Sequence, residues 1–133
     1  MQIRETQKGI NFDKYPNFEE DIDPKQRAWI EVNGKVLEKN VRQIRSKLSK
    51  SCQFMAVVKA DGYGHDAKVV SEYAIKGGAS QLGVATLKEG IRLRSSGVQK
   101  PILILGNLYT KRDLIISFKN DLMPTISLSL IHI

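Results

Sequence analysis

The chain has 133 residues, 41% hydrophobic and 26% charged, enough for one modest domain with a core and about half of an eight-stranded α/β barrel. Its lone cysteine, Cys52, excludes a disulfide framework and fits a reducing, cytoplasmic setting; no apolar run approaches transmembrane length, and Met1 to Pro24 lacks a signal-peptide core. The net charge of +7 divides into six acidic against four basic residues over 1–26 and 17 basic against eight acidic thereafter. Those later charges are scattered along helical stretches without a nucleic-acid motif, so they read as a solvated face.

Residues 1–26, polar and carrying Pro16 and Pro24, read as a flexible extension. Ala28-Trp29-Ile30-Glu31-Val32 is a short strand, with Trp29 a core or interface anchor, closed by Asn33-Gly34. Val36, Leu37, Val41, Ile44 and Leu48 recur at helical spacing and predict an amphipathic helix. Phe54-Met55-Ala56-Val57-Val58 is an apolar run of strand length, suited to burial on both faces. A helix follows from Asp66 to about Lys76, with Val69, Val70, Tyr73 and Ala74 on its buried side and Gly77-Gly78 as its stop. Leu82 to Ala85 is a strand, Thr86-Leu87-Lys88-Glu89 has capping-box spacing, and the helix it opens runs to Gly97. Pro101 to Gly106 is the next strand, Thr110 caps a helix carrying Leu114, Ile115 and Phe118, and Leu122 to Ile126 starts another strand.

This alternation predicts an α/β fold with a parallel sheet. A doubly wound sheet and a (β/α)₈ barrel both fit the pattern, and the dinucleotide fingerprint G-x-G-x-x-G is absent. In either, the strand-to-helix loops share one edge, so Lys59, Tyr63, Thr86-Leu87 and Gly106-Asn107 fall together.

The chemistry concentrates after the 54–58 strand, in Lys59-Ala60-Asp61-Gly62-Tyr63-Gly64-His65. Two glycines within three residues allow positive φ and close approach of a ligand. A desolvated lysine amine at a strand's carboxyl end could act as a Schiff-base nucleophile. The competing reading is a strand-end lysine reaching for water before a two-residue Asp61-Gly62 hairpin turn. It has one weakness, because Tyr63 to Ala67 does not alternate as a return strand would.

Val58 to His65, V-K-A-D-G-Y-G-H, resembles the pyridoxal-phosphate attachment motif of alanine racemases. The resemblance extends over roughly residues 27–127, through Trp29 to Val32, Gly77-Gly78-Ala79, Val84 to Glu89 and Pro101 to Gly106. It departs at Asp66, where the family usually has glycine; Asp66 would instead serve as an N-cap.

The resemblance selects the (β/α)₈ barrel, of which residues 27–127 would form about the first half. It implies a pyridoxal 5'-phosphate cofactor, alanine as substrate and a homodimer. Lys59 would carry the cofactor and act as base and acid on the D-alanine face. Tyr63 would contact the cofactor phosphate, and Val57 and Leu87 would line the cofactor. The proton donor for the opposite face, and most phosphate- and carboxylate-binding groups, lie later in that family's sequence. The chain alone is therefore expected to be inactive, with unpaired strand edges and uncovered helix faces that favour aggregation.

Leu128 to Ile133 lacks an amphipathic period and matches the translation of a transposase end sequence used in DNA library preparation, so 128–133 is expected to be a non-native tail. A native apolar C-terminal strand is the competing reading. His132 would carry no function, and His65 has no apparent companions for a metal site. Two other functions fit less well. One is a different pyridoxal-phosphate barrel: a racemase of another amino acid shares the motif, whereas cofactor-homeostasis barrels lack the Ala60–His65 loop. The other is a basic nucleic-acid-binding domain, which would bind with steep salt dependence and need no cofactor.

Overall fold

The computed structural model describes the backbone of residues 3–5 and the whole of residues 30–127. The expectations for Trp29, for the 128–133 tail and for most of the 1–26 extension lie outside the described residues. Within that extension only residues 3–5 are described. Strand β1 (Ile3–Glu5) pairs in parallel with β2 (Ile30–Val32), Ile3 opposite Ile30. A lone three-residue strand exposes unpaired N–H and C=O groups, and a second extended segment satisfies them.

The described strands beyond β2 form one parallel sheet in sequence order: β3 (Met55–Val57), β4 (Gln81–Val84), β5 (Ile102–Asn107) and β6 (Met123–Thr125). The register sets Ala56 opposite Leu82 and Leu82 opposite Ile102, with Val57 opposite Gly83 and Gly83 opposite Leu103. Alternation then separates two faces. Leu82, Val84, Ile102 and Ile104 form a dry core with Val58, Leu93, Leu108 and Leu122. Burial stabilises each of these larger side chains by about 1.5–3 kcal/mol.

Helices α3 (Ala67–Gly77), α4 (Leu87–Ser95) and α5 (Lys111–Lys119) all cover that core face, through Val70 and Ile75, Ile91, and Leu114 respectively. Helices on one face are the barrel arrangement; a doubly wound sheet would place them on both. The other face carries Met55, Val57, Gly83, Leu103 and Leu105, and there Val57 is 39% exposed and Leu105 42%. Burial of the β3 run on both faces is thus corrected. Its helix side is covered, while its inner side is covered only in part, Met55 being half-buried and Val57 exposed.

Local signals explain where the helices begin and end. Asn33 caps α1 (Gly34–Ser46) by accepting from the Val36 N–H at 3.1 Å, and Thr110 caps α5 by accepting from the Asp113 N–H at 3.0 Å. Gly78, at φ 111°, ends α3. Helix α1 docks on α3 through the bare backbone of Gly34, against Tyr73, and of Gly77, against Val41. Within α1, Arg42 donates to Glu38 at 2.8 Å and 3.0 Å, which holds the Glu38 carboxyl below its ordinary value.

The predicted apolar stripe of α1 is only partly used, since Val41 is buried but Val36 and Ile44 are exposed. On α5, Leu114 packs on the core while Ile115 and Phe118 are exposed, Phe118 at 67%. Periodicity marks an apolar face, and tertiary neighbours decide whether it is covered.

Candidate active site

The carboxyl ends of β3, β4 and β5 share one edge, and the chain does its least ordinary work at the first of them. Val58 still belongs to the helix-facing core, and Lys59, exposed, stands just beyond it at the carboxyl edge of the sheet. The chain then makes a single helical turn, α2 (Lys59–Tyr63), which is left-handed: Ala60, Asp61, Gly62, Tyr63 and Gly64 have φ of 51°, 56°, 65°, 55° and 81°. Left-handed backbone costs an L-residue about 1–2 kcal/mol. Positive φ was expected of the glycines here; the structure places Ala60, Asp61 and Tyr63 there too. The hairpin reading does not hold, because β3 and β4 are parallel and the turn leads into α3.

Specific bonds hold the turn. Gly62 and Gly64 N–H donate to Val58 and Ala60 carbonyls, both at 3.0 Å. The Tyr63 carbonyl, which can only accept, lies 2.9 Å from His65 Nδ1, so that nitrogen carries the proton. Asp61 accepts from the Ala67 N–H at 3.2 Å and faces Arg92 at 3.4 Å. Glu89 reaches across from α4 to accept the Ala60 N–H at 2.8 Å. The Asp61–Arg92 pair is well exposed and contributes about 0–1 kcal/mol. A hydrogen bond to a charged acceptor contributes about 1.5–3 kcal/mol. Glu89 is therefore a stronger brace than that pair, comparable in size to the strain at one of the three non-glycine residues.

Asp66, standing where the resembling family has glycine, takes φ 67° and ψ 107° and caps α3 by accepting from the Lys68 and Val69 N–H groups at 2.8 Å and 3.1 Å. The capping bonds offset the backbone conformation. At the third strand end, a Cβ on Gly106 would stand 2.5 Å from the Ala85 carbonyl oxygen, so only glycine lets the two loops approach this closely.

Lys59 and Tyr63 share the left-handed turn, Val57 precedes it on the inner face, and Leu87 opens α4 one strand away at the same edge. Tyr63 is 57% exposed and Lys59 is exposed, so the desolvated amine expected from the sequence is not found here. Leu87 is half-buried against the helix-facing core. Behind the turn, on its helix side, a cavity of about 150 Å³ lies between Val58, Asp61, Ala67, Glu89, Arg92 and Leu93. Lys59 is not among the residues that line it. No group of three or more His, Cys, Asp or Glu suited to a metal occurs among the described residues, and none of their helices is long and apolar enough to cross a membrane.

Glu89 and Arg92 are the residues that sequence reasoning missed. The capping-box spacing exposed the local half of the role of Glu89, but no local signal reports an acceptor used 29 positions away.

The family model described as alanine racemase, N-terminal domain, matches residues 32–129. An alanine racemase of Prochlorococcus marinus is 54% identical over 106 residues, 80% of this chain and 28% of its own length. One from a Nostoc species is 55% identical over 85 residues, 64% of this chain and 22% of its own length. The crystal structure of alanine racemase from E. faecalis superposes with a TM-score of 0.71 at 36% identity, covering 74% of this chain and 26% of that one. The chain thus spans about a quarter of the length of the relatives it matches.

Proposed function

This chain belongs to the family of alanine racemase N-terminal domains, and from that premise we propose that it is the cofactor-attachment segment of a pyridoxal-phosphate-dependent racemase acting on alanine. The observation that carries the reading is Lys59, an exposed amine at the carboxyl edge of a parallel sheet, at the head of a turn whose backbone is held by a carboxylate from α4. The residues present fit the group: an accessible amine, a phenol four residues on, and an apolar wall at Val57.

When bound, pyridoxal phosphate acidifies the substrate's α-hydrogen by delocalising the charge left behind. Lys59 then takes and returns the proton at the α-carbon on one face of the substrate. Tyr63 would donate its phenol O–H to the phosphate, Val57 would pack against the ring, and Leu87, half-buried against the helix-facing core, would line it only from the edge where α4 begins. The group serving the opposite face is expected from outside the described residues, within a homodimer. The segment alone is therefore expected to bind cofactor without racemising alanine, and the D-alanine formed by the whole protein would serve peptidoglycan.

Titration with pyridoxal phosphate tests the assignment of Lys59. The chain should develop a visible absorbance band at about one equivalent, and borohydride should fix the label on the peptide containing Lys59. Label spread over the chain's lysines in proportion to exposure would contradict the reading. A racemase of another amino acid would give the same label and differ in substrate.

A further inference from the structure

Resting on that reading of Lys59, we propose that Glu89 is a positioning residue: its carboxylate ties the peptide after Lys59 to the end of the neighbouring strand and so holds the left-handed turn that aims the lysine. In an ordinary capping box the glutamate only reaches back to the N-cap N–H. Here Oε2 accepts from the Thr86 N–H at 3.1 Å and also from the Ala85 N–H at 2.7 Å. Oε1 is left for Ala60 at 2.8 Å. Both oxygens are committed, three backbone donors are satisfied, and two strand ends are linked by one side chain.

The geometry ties this bond to Lys59. The donor is the amide joining Lys59 to Ala60, so it stays on Oε1 only while that peptide plane keeps its present direction. Return of Ala60 and Asp61 to negative φ would rotate the plane and break the bond. Arg92, one turn along α4, faces Asp61 at 3.4 Å, so the same helix face meets two successive residues of the turn. Glutamine keeps the shape of Glu89 but offers one acceptor oxygen, and its amide nitrogen would confront an N–H donor.

Three chains separate this role from plain capping: wild type, Glu89→Gln, and Thr86→Ala, which removes the 3.3 Å bond from the Glu89 N–H to Thr86 Oγ1 and leaves Ala60 untouched. Two readouts are compared. One is hydrogen exchange of the 59–66 amides without cofactor; the other is the circular dichroism induced in the cofactor's visible band. Glu89→Gln should raise exchange over 59–66 about ten-fold, leave residues 67–77 unchanged, and abolish the induced signal. Thr86→Ala should match wild type in both.

Wild-type exchange and an unchanged induced signal in Glu89→Gln would overturn the proposal. So would equal effects of Thr86→Ala, or loss of cooperative folding in Glu89→Gln, since Glu89 would then be a stability residue. If Glu89→Gln exchanges faster over 59–66 but wild type acquires no cofactor band, the clamp stands and the reading of Lys59 fails.

Discussion

Lys59→Ala should eliminate the borohydride-fixed label while leaving the chain as stable as before. The side chain is exposed and makes no part of either hydrophobic core, so its removal opens no cavity and should change stability by less than about 0.5 kcal/mol. The turn itself is held by backbone and by Glu89, Asp61 and His65, all of which remain. Other lysines form adducts with an aldehyde, so the comparison must be made at one equivalent and read by peptide mapping. Retention of a single dominant label elsewhere would move the attachment point and remove the basis of the functional assignment.

Gly34→Ala should cost about 2–3 kcal/mol, a large share of the stability of a domain this size. An ideal Cβ at residue 34 would stand 2.1 Å from the Tyr73 ring, and Tyr73 is 2% exposed within the α1–α3 contact. The ring cannot swing away without opening that contact, because Gly77 on the same interface already meets Val41 at 2.6 Å from its own ideal Cβ. Alanine's better helix propensity recovers less than about 1 kcal/mol at the first residue of α1. Chemical denaturation of the two chains measures the difference; a loss below about 0.5 kcal/mol would mean that α1 does not dock as described.

Much of the fold is written in local signals. Asp66, Thr86 and Thr110 each cap the helix their spacing indicates, Gly78 ends α3, and the alternation of strands and helices yields a parallel sheet in sequence order. What covers a face is not local. Val36, Ile44, Ile115 and Phe118 lie on apolar helical faces and are nonetheless exposed, because exposure depends on neighbours that periodicity does not report. The pairing of Ile3–Glu5 with β2 is of the same kind.

The site divides in the same way. Lys59 and Tyr63 stand out through a glycine-punctuated motif, whose chemistry is legible only by resemblance. The left-handed conformation of Ala60 and Asp61 goes against their local preference and is held partly by a carboxylate 29 residues from Ala60. No window around Lys59 contains Glu89. Conversely, the sequence argued for a desolvated amine, and Lys59 is exposed at the carboxyl edge of the sheet.

If this segment supplies the lysine of a racemase, it should work in place of the matching segment of an intact one. Residues 30–127 would replace their counterpart in the Prochlorococcus alanine racemase, to which the chain is 54% identical over 106 residues. Proton NMR in D₂O would then follow loss of the alanine α-proton, with D-alanine measured in parallel. The exchanged enzyme should replace the α-proton with deuterium and interconvert the enantiomers, and Lys59→Ala in the same enzyme should do neither. A folded, cofactor-loaded exchange enzyme that leaves the α-proton in place, or one whose activity survives Lys59→Ala, would contradict the account.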